Sequence, residues 1–321
     1  MTHAEQILAI LYDAPAGVGA DQLAARCNCT KAQVQRALGQ LRQRGHRIVP
    51  ASAGAWKLQR PVKLDACLVE RGLPAGRLGR SVICFDEVDS TSDVAAESLR
   101  QGGTDGLVIT AEFQRLGRGR QGKPWLSPPG ANLLMSIVLT DEHAPLPGHE
   151  GLTIAAGLAT AEGAERTAGV HVELKWPNDV EIDGHKTAGV LVELVTAGSR
   201  RAAIVGIGVN VSAAPPAGQV DRPATCLETA AGETVERVEL ARAILSSFDA
   251  WLVRLAAGDV GALHDAWVCR CGMIHQPVVV RAEGRLLRGT VMDVQPLEGL
   301  VLRCDDGSIR HVPAHHASVL K

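Results

Sequence analysis

The sequence predicts a multidomain α+β chain with a winged helix-turn-helix at the N-terminus, a central mixed or antiparallel sheet carrying helices, and a small β barrel at the C-terminus. Three observations carry this reading. Residues 5–44 give three short helical patterns, the last opened by a capping box. In the middle of the chain, strands flank hairpin turns instead of alternating one-for-one with helices. The tail is a run of short strands broken by Glu283-Gly284, Glu298-Gly299 and Asp306-Gly307. A chain of 321 residues is too long for one small domain and long enough to bury most of its unfolded surface.

Taken in order, residues 5–12 put Ile7, Leu8 and Leu11 on one helical stripe. A Pro/Gly break at Pro15–Gly19 precedes a second short helix, DQLAARC. Thr30-Lys31-Ala32-Gln33 caps a third that runs to about Arg44, with Val34, Ala37, Leu38 and Leu41 as its buried face and Gly45 as a C-terminal stop. Strands at Arg47–Val49 and Ala55–Leu58, around a small-residue turn Ala51–Gly54, form a possible wing. The exposed face of the third helix carries Lys31, Gln33, Gln35, Arg36, Arg42 and Arg44, side chains long enough to reach base edges and phosphates. A three-helix packet that serves only for packing gives the same pattern.

After Arg60-Pro61 the large domain begins. Strands are expected at Val82–Glu87, Leu107–Phe113, Asn132–Leu139, Val170–Lys175, Val180–Ile182, Thr187–Val195 and Arg201–Val211. Helices are expected at Ser90–Gln101, with Ser90 and Asp93 as a capping pair, at Leu152–Thr167 and at Leu240–Leu255. Asp183-Gly184 is a hairpin turn signal. The tail from about Gln276 to Lys321 reads as its own small barrel or as an extension of the main sheet.

Composition narrows the class. A hydrophobic fraction of 46% and a charged fraction of 21% exclude a disordered or fibrous chain. With aromatics at 3%, the core must come from Leu, Val, Ile and Ala. The net charge of -2 hides an asymmetry: residues 1–60 hold eight Lys/Arg against three Asp/Glu, and the remainder 25 against 32. That suits a nucleic-acid-facing head on a neutral-to-acidic body, or simply a solvated basic surface. The eight cysteines include two C-x-C pairs and no C-x-x-C, short of a zinc framework, so reduced thiols are expected. With no long apolar signal core and no 18-residue apolar run, the protein is expected to be soluble, cytoplasmic and without a membrane partner.

Three clusters carry chemistry. Gly117-Arg118-Gly119-Arg120-Gln121-Gly122 spells a dinucleotide fingerprint, but Lys123-Pro124-Trp125 and the prolines beyond cannot propagate the helix that fingerprint needs. A nicotinamide enzyme is therefore rejected. Arg115, Arg118, Arg120 and Lys123 instead make a basic, glycine-rich loop able to close over phosphates and shield a reactive anhydride, unless it is merely an exposed loop. Trp125 can stack on a base or fill core. Lys175-Trp176-Pro177-Asn178-Asp179 ends a strand in a turn that presents an amide beside a carboxylate, groups that can hydrogen-bond a nucleotide or hold a divalent cation. Lys186, followed by Thr187-Ala188-Gly189, is either a solvated lysine or a charge stabiliser between a carboxylate and a phosphate. In Gly206-Ile207-Gly208-Val209-Asn210-Val211, Asn210 must find a partner, in a ligand or in a backbone turn.

VDSTSD at 88–93, QRLGRGRQGKPW at 114–125, SPPGANL at 127–133, KWPND at 175–179, GHKTAGVLVEL at 184–194 and GIGVNV at 206–211 give the chain a resemblance over nearly its whole length. It resembles the bifunctional biotin protein ligases, biotin–acetyl-CoA-carboxylase ligases fused to a biotin operon repressor. Lipoate-attaching relatives share the catalytic fold but lack the GRGRxGxxW loop. The resemblance implies a winged helix-turn-helix DNA-binding domain at 1–60, a catalytic domain like that of class II aminoacyl-tRNA synthetases at 61–272, and an SH3-like domain at 273–321. It implies Ser90, Thr91, Gln114, Gly117 and Arg118 around biotin, and Arg120 ordering the loop. Lys186 and Arg118 are then catalytic, Trp125, Asn178, Asp179 and Asn210 lie on the nucleotide side, and Gly189 allows close ligand approach. Substrates and cofactors would be biotin, ATP and Mg²⁺, with Asp179 a Mg²⁺ contact. Partners would be a biotin carboxyl carrier protein, operator DNA read by Lys31, Gln33, Gln35 and Arg36, and a second copy of the chain once the adenylate is bound. A ligase without operator binding, a biotin-sensing regulator without catalysis, and a lipoate or octanoate ligase are the alternatives. Two departures stand out: Ser92, where the family usually has Asn, and a wing without a basic tip.

Overall fold

Helix α1 (His3–Asp13) starts at Thr2, whose side chain and that of Glu5 form a reciprocal cap, and it buries Ile7, Leu8 and Leu11. The computed structural model describes residues 1–51, 54–74, 76–142, 145–197, 200–314 and 317–320. After β1 (Val18–Gly19) and α2 (Ala20–Arg26), α3 (Lys31–Gln43) opens with the expected Thr30/Gln33 capping box. It buries Val34, Ala37, Leu38 and Leu41, the face read from its spacing. Gly45 takes a positive φ of 89°, which lets the chain turn out of the helix. The wing strands β2 (Ile48–Pro50) and β3 (Ala55–Leu58) pair antiparallel, Val49 opposite Lys57. Ser52 and Ala53, within the expected wing turn, lie outside the described residues. The two-residue β1 adds to the free side of β3, a strand too short to leave any alternation in the sequence.

The central unit runs α4 (Ala66–Glu70), β4 (Ser81–Val88), α5 (Thr91–Arg100), β5 (Leu107–Gln114), β6 (Leu133–Thr140), α6 (His149–Ala168), β7 (Glu173–Lys175), β8 (Asp179–Ile182), β9 (His185–Ala197) and β10 (Arg200–Val209). Then come α7 (Leu227–Ala231), α8 (Arg237–Ala256) and α9 (Val260–Val268). The strands form a seven-stranded sheet in the order β4-β5-β6-β10-β9-β8-β7. β4 and β5 are parallel, joined by the crossover helix α5, and the other neighbours are antiparallel. The β8–β9 hairpin turns on Asp183 and Gly184, both at positive φ (50° and 73°), as its sequence signal predicted. Every residue of β6 is buried, because this central strand is covered on both faces. Ala95 and Leu99 of α5 pack on Ile109, Val138 and Ile204 on one face, while α6 and α8 cover the other.

Strands β11 (Pro277–Ala282), β12 (Arg285–Gln295), β13 (Gly299–Cys304), β14 (Ile309–Val312) and β15 (Ala317–Val319) make a separate antiparallel sheet in the order β14-β13-β12-β11-β15. The tail is thus its own unit and not an extension of the central sheet. Turns at Glu283-Gly284 (φ 48° and 76°), Gly299 (φ 96°) and Gly307 (φ 82°) fall where the acidic-Gly pairs placed them. Among the described residues, no helix is long and apolar enough to cross a membrane.

The N-terminal unit is docked, not tethered. Tyr12 donates to Glu239 of α8 at 2.7 Å, and its ring lies 4.6 Å from the Arg60 guanidinium. Arg71 donates to the Ala9 carbonyl and pairs with Asp13, while His46 meets Asp65 at 3.1 Å. Buried apolar side chains run without a break from α1 and α3 through Leu64, Leu68 and Val69 into α8.

Helices α6 and α8 meet closely at Gly163, where an added Cβ would stand 2.5 Å from Ile244 Cγ1 and 3.2 Å from its backbone nitrogen. Gly163→Ala should therefore cost about 1–3 kcal/mol, since backbone as well as side chain must yield. Gly261→Ala in α9, where nothing lies within 4 Å, should instead gain about 0.5–1 kcal/mol from propensity. Urea unfolding of both variants checks the opposite signs.

Candidate functional site

A cavity of about 320 Å³ opens where the ends of β5, β9 and β10 face the loop from Arg115 to Trp125. Ser90, Thr91, Gln114, Arg118, Arg120, Trp125, Asn178, Asp179, Lys186, Gly189 and Asn210 all line it, although they come from segments far apart in the chain. Gly117 sits beneath the lining: a Cβ there would be 2.7 Å from the Trp125 carbonyl oxygen and 2.9 Å from Gln114 Nε2. Lys31, Gln33, Gln35 and Arg36 are on α3 and none lines the cavity. Of these four, Lys31 pairs with Asp21 at 2.6 Å and Gln33 serves the helix cap, leaving Gln35 and Arg36 exposed.

One end of the cavity holds an uncharged polar network. Gln114 Oε1 accepts from the Thr91 backbone N–H at 2.7 Å and from its hydroxyl at 2.9 Å. The Thr91 and Ser92 hydroxyls meet the Ser136 hydroxyl at 2.7 and 3.0 Å. The capping pair expected at Ser90 and Asp93 does not form. Ser90 is the N-cap residue by position but makes no side-chain cap bond and is 2% exposed, and Asp93 turns to Arg118. Gln114, reaching across from β5, supplies an acceptor for the first helical amide instead.

The other end is ionic. Lys186 Nζ lies 2.6 Å from Asp179 Oδ1, and Arg222 binds Asp179 Oδ2 while reaching Glu181 at 3.3 Å. Both Asp179 oxygens therefore face cations, so this carboxylate does not fit the Mg²⁺ contact expected of it. Asn178 is braced from both sides: its amide donates to the Val190 carbonyl at 2.7 Å and its oxygen accepts from Arg120 at 3.2 Å.

Between the two ends stands Trp125. A Cβ on Gly208 would be 2.6 Å from its ring and one on Gly189 3.3 Å, so these glycines make room for the indole. Lys186 Nζ is 5.6 Å from the ring centroid. Of the two readings left open for Asn210, the backbone partner is present: its amide donates to the Thr225 carbonyl at 3.1 Å, while its buried oxygen has no partner among the described residues. The buried Trp125 Nε1 has none among them either. The wall thus carries one unpaired donor and one unpaired acceptor just beneath its surface.

The basic loop is a small hairpin. Trp125 N–H donates to the Gly117 carbonyl at 2.8 Å and Gly119 N–H to that of Lys123 at 2.7 Å. A single 3-10 turn, with Gln121 at φ 56°, occupies Arg120–Gly122, and no helix follows it. Arg120 leaves the hairpin to donate to the carbonyls of Ala314 and Ala317 beside β15. Burial lowers its guanidinium from the ordinary arginine value, against a partial opposing pull from Asp179.

Three contributors escaped the sequence reading. The segment carrying Pro215, Gln219, Val220, Asp221, Arg222 and Ala224 forms a wall without regular structure, so it left no periodicity to read. Ser318 and Val319 of β15 also line the cavity. Ser136 did leave a signal, as the polar residue inside the apolar run LLMSIVL.

Residues 84–210 match the model of the biotin/lipoate A/B protein ligase family. The bifunctional ligase/repressor BirA of Bacillus subtilis is 32% identical over 225 residues, covering 69% of each chain. The protein of the same name from Salmonella typhimurium is 27% identical over 292 residues, covering 90% of this chain and 89% of that one. Among solved structures, the biotin protein ligase of Aquifex aeolicus in complex with biotin and ATP superposes with a TM-score of 0.63 at 25% identity, over 75% of this chain and 99% of that one.

The Gly208 contact can be tested by a double-mutant cycle. Gly208→Ala should cost about 1–3 kcal/mol against the Trp125 ring, and most of that loss should vanish when Trp125→Leu is already present. Equal losses in both backgrounds would show that the indole does not set the size limit at Gly208.

Proposed function

The chain belongs to the biotin protein ligase family, and we propose that its cavity makes biotinyl-5'-AMP from biotin and ATP and passes biotin to one lysine of a biotin carboxyl carrier protein. The observation that carries this reading is the division of one cavity into an uncharged polar end, an indole wall and a cationic end. The acid's ring body needs hydrogen-bond partners without charge; Thr91, Gln114 and Ser136, with Ser90 beside them, offer these. The base of the nucleotide needs a flat wall to stack on, which the Trp125 indole offers with Asn210 beside it. The phosphate and the carboxylate need cations, and Lys186, Arg222 and Arg118 supply them.

In the first step a carboxylate oxygen of biotin attacks the α-phosphorus, and the bond to the β-phosphate breaks with release of pyrophosphate. Lys186 stabilises the charge that gathers between carboxylate and phosphate. Mg²⁺ would arrive on the triphosphate as part of the substrate, because both Asp179 oxygens are already taken by cations. In the second step the neutral amine of the acceptor lysine attacks the acyl carbon, AMP departs, and the amide nitrogen loses its proton. Arg118 and Arg120, on the hairpin over the cavity, keep water from the mixed anhydride. The protein needs no nucleophile of its own.

A second role, operator binding, follows from the N-terminal unit. The two BirA relatives carry both ligase and repressor in their names. Here α3 presents Gln35 and Arg36 outward, with a basic excess around them. We place these two residues in a major groove, with Lys31 free to join if its pair with Asp21 opens. Loaded with adenylate, the protein would bind as a dimer, and its functional units would be residues 1–60, 61–272 and 273–321.

The deciding experiment supplies purified protein with biotin, ATP, Mg²⁺ and a carrier domain; no labelled carrier beside a working control overturns the ligase reading, and replacing biotin by lipoate or octanoate tests the choice of acid. Lys186→Ala should slow adenylate formation by about 10²–10³, and a variant within threefold of wild type would remove that role. Sedimentation with and without biotin and ATP tests the dimer. Arg36→Ala should weaken binding to DNA upstream of biotin genes but leave biotinylation intact, and affinity should fall with salt at a log–log slope of about -0.9 per phosphate contacted. Adenylate-loaded protein that does not prefer that DNA over random sequence leaves a ligase alone.

A further inference from the structure

We propose that Ser136, backed by Ser92, is a positioning residue that commits the Thr91 hydroxyl to Gln114 and leaves Gln114 with only protons to offer a ligand. The role deepens the ligase reading given above, on which its choice of ligand rests. Four side chains from three elements meet at the uncharged end of the cavity. Thr91 and Ser92 are in the first turn of α5, Gln114 ends β5, and Ser136 is in the middle of β6. The three hydroxyl residues are buried.

A hydroxyl can give or take a proton, so a row of hydroxyls has no direction of its own. Here one backbone amide supplies it. The Thr91 N–H can only donate, and it does so to Gln114 Oε1 at 2.7 Å, which fixes which way round that side chain lies. An amide oxygen cannot donate, so the Thr91 hydroxyl, 2.9 Å away, gives its proton to the same atom. Thr91 Oγ1 is then the acceptor towards Ser136 at 2.7 Å, and Ser136 Oγ the acceptor towards Ser92 at 3.0 Å. Protons are therefore handed from Ser92 to Ser136, from Ser136 to Thr91 and from Thr91 to Gln114. Gly206, opposite Ser136 on β10, leaves room for the first member: an added Cβ would stand 3.2 Å from Ser92 Oγ.

Two donated protons fill both lone pairs of Gln114 Oε1. Its Nε2 has no acceptor among the described residues, so towards a ligand Gln114 gives and does not take. A neutral head with a carbonyl oxygen suits such a group, and a head with protons at the same place does not. Ser136 acts through Thr91 and Gln114, since its own proton is already committed. Without Ser136 nothing holds the Thr91 proton on Gln114, and the hydroxyl can turn and free an acceptor.

Two measurements on the full-length protein test this, one of them without ligand. Ser136→Ala leaves the buried Ser92 hydroxyl without its acceptor, so Ser92→Ala/Ser136→Ala, which removes both partners and spares the fold, is studied beside it. In ligand-free protein, proton NMR should show a slowly exchanging Thr91 hydroxyl proton, and exchange should be about tenfold faster in both variants once one hydrogen bond is lost. The second measurement is the ratio of affinities, by calorimetry, for biotin and for 2-iminobiotin, in which a proton-bearing nitrogen replaces the ring oxygen. A pocket that is merely loosened weakens both ligands alike. Release of the Thr91 proton should instead narrow the ratio, by about tenfold for one hydrogen bond. Ser92→Ala alone should narrow it less, because Ser136 still donates to Thr91. A Thr91 hydroxyl proton that exchanges as slowly in the variants as in wild type overturns the relay, as does an unchanged ratio in both variants. If the wild type binds neither acid, the ligase reading falls, while the hydroxyl proton still decides whether Ser136 holds Thr91.

Discussion

A carboxylate that is nearly out of water must find positive charge, and Asp179 finds it on both sides. Its side chain is 9% exposed and lies between Lys186 and Arg222. The cost of burying such a group is met only if both cations stay in place. Each cation brings a piece of chain with it. Lys186 fixes the start of β9, and its backbone bonds to Pro223 and Thr225 pin the segment that delivers Arg222. Next to Arg222, Asp221 reaches over to the hairpin through Lys123. Next to Asp179, Asn178 holds Arg120, and Arg120 holds the C-terminal sheet. One charge-satisfaction requirement thus gathers three walls that have no sequence proximity. The same requirement leaves both Asp179 oxygens paired with cations.

What the sequence revealed and what it hid divide along physical lines. The N-terminal helices were legible because a capping box and an apolar stripe are local: Thr30 with Gln33, then Val34, Ala37, Leu38 and Leu41. The Asp183-Gly184 turn was legible because positive φ demands particular residues. Local logic misled at Ser90, where the spacing to Asp93 spelled a cap. There a glutamine from another strand took one partner's task and an arginine from the hairpin took the other partner. The two-residue strand β1 was invisible because it exists only through β3. The wall at 215–224 was invisible because ion pairs and a few backbone bonds hold it, and neither has a period.

Most cavity residues named from the sequence do face the cavity, and Gly189 was already expected to make room, though for a ligand and not for an indole. Several turn out to be carriers of space. Gly117, Gly189 and Gly208 matter for the Cβ they lack, since the Trp125 indole, its backbone and Gln114 fill the volume. The aromatic wall and the glycines opposite it are one feature written in three places of the chain. Likewise the N-terminal unit, read as a separate head, shares its apolar core with α4 and α8. Tyr12 of α1, between Arg60 and Arg242 and bonded to Glu239, joins that unit to α8.

The hold of Arg120 on the carbonyls of Ala314 and Ala317 has a consequence for how the protein comes into being. Chains fold from their N-terminus as they leave the ribosome. The seven-stranded sheet can form once β10 has emerged, a hundred residues before β15 exists. Throughout that interval Arg120 lacks the acceptors that seat it, and the hairpin has lost one of its moorings. A nascent chain therefore holds the floor of its cavity long before it holds the cover. Full seating of the hairpin therefore waits on Ala314 and Ala317, and a chain made only as far as β10 lacks that mooring of the cover.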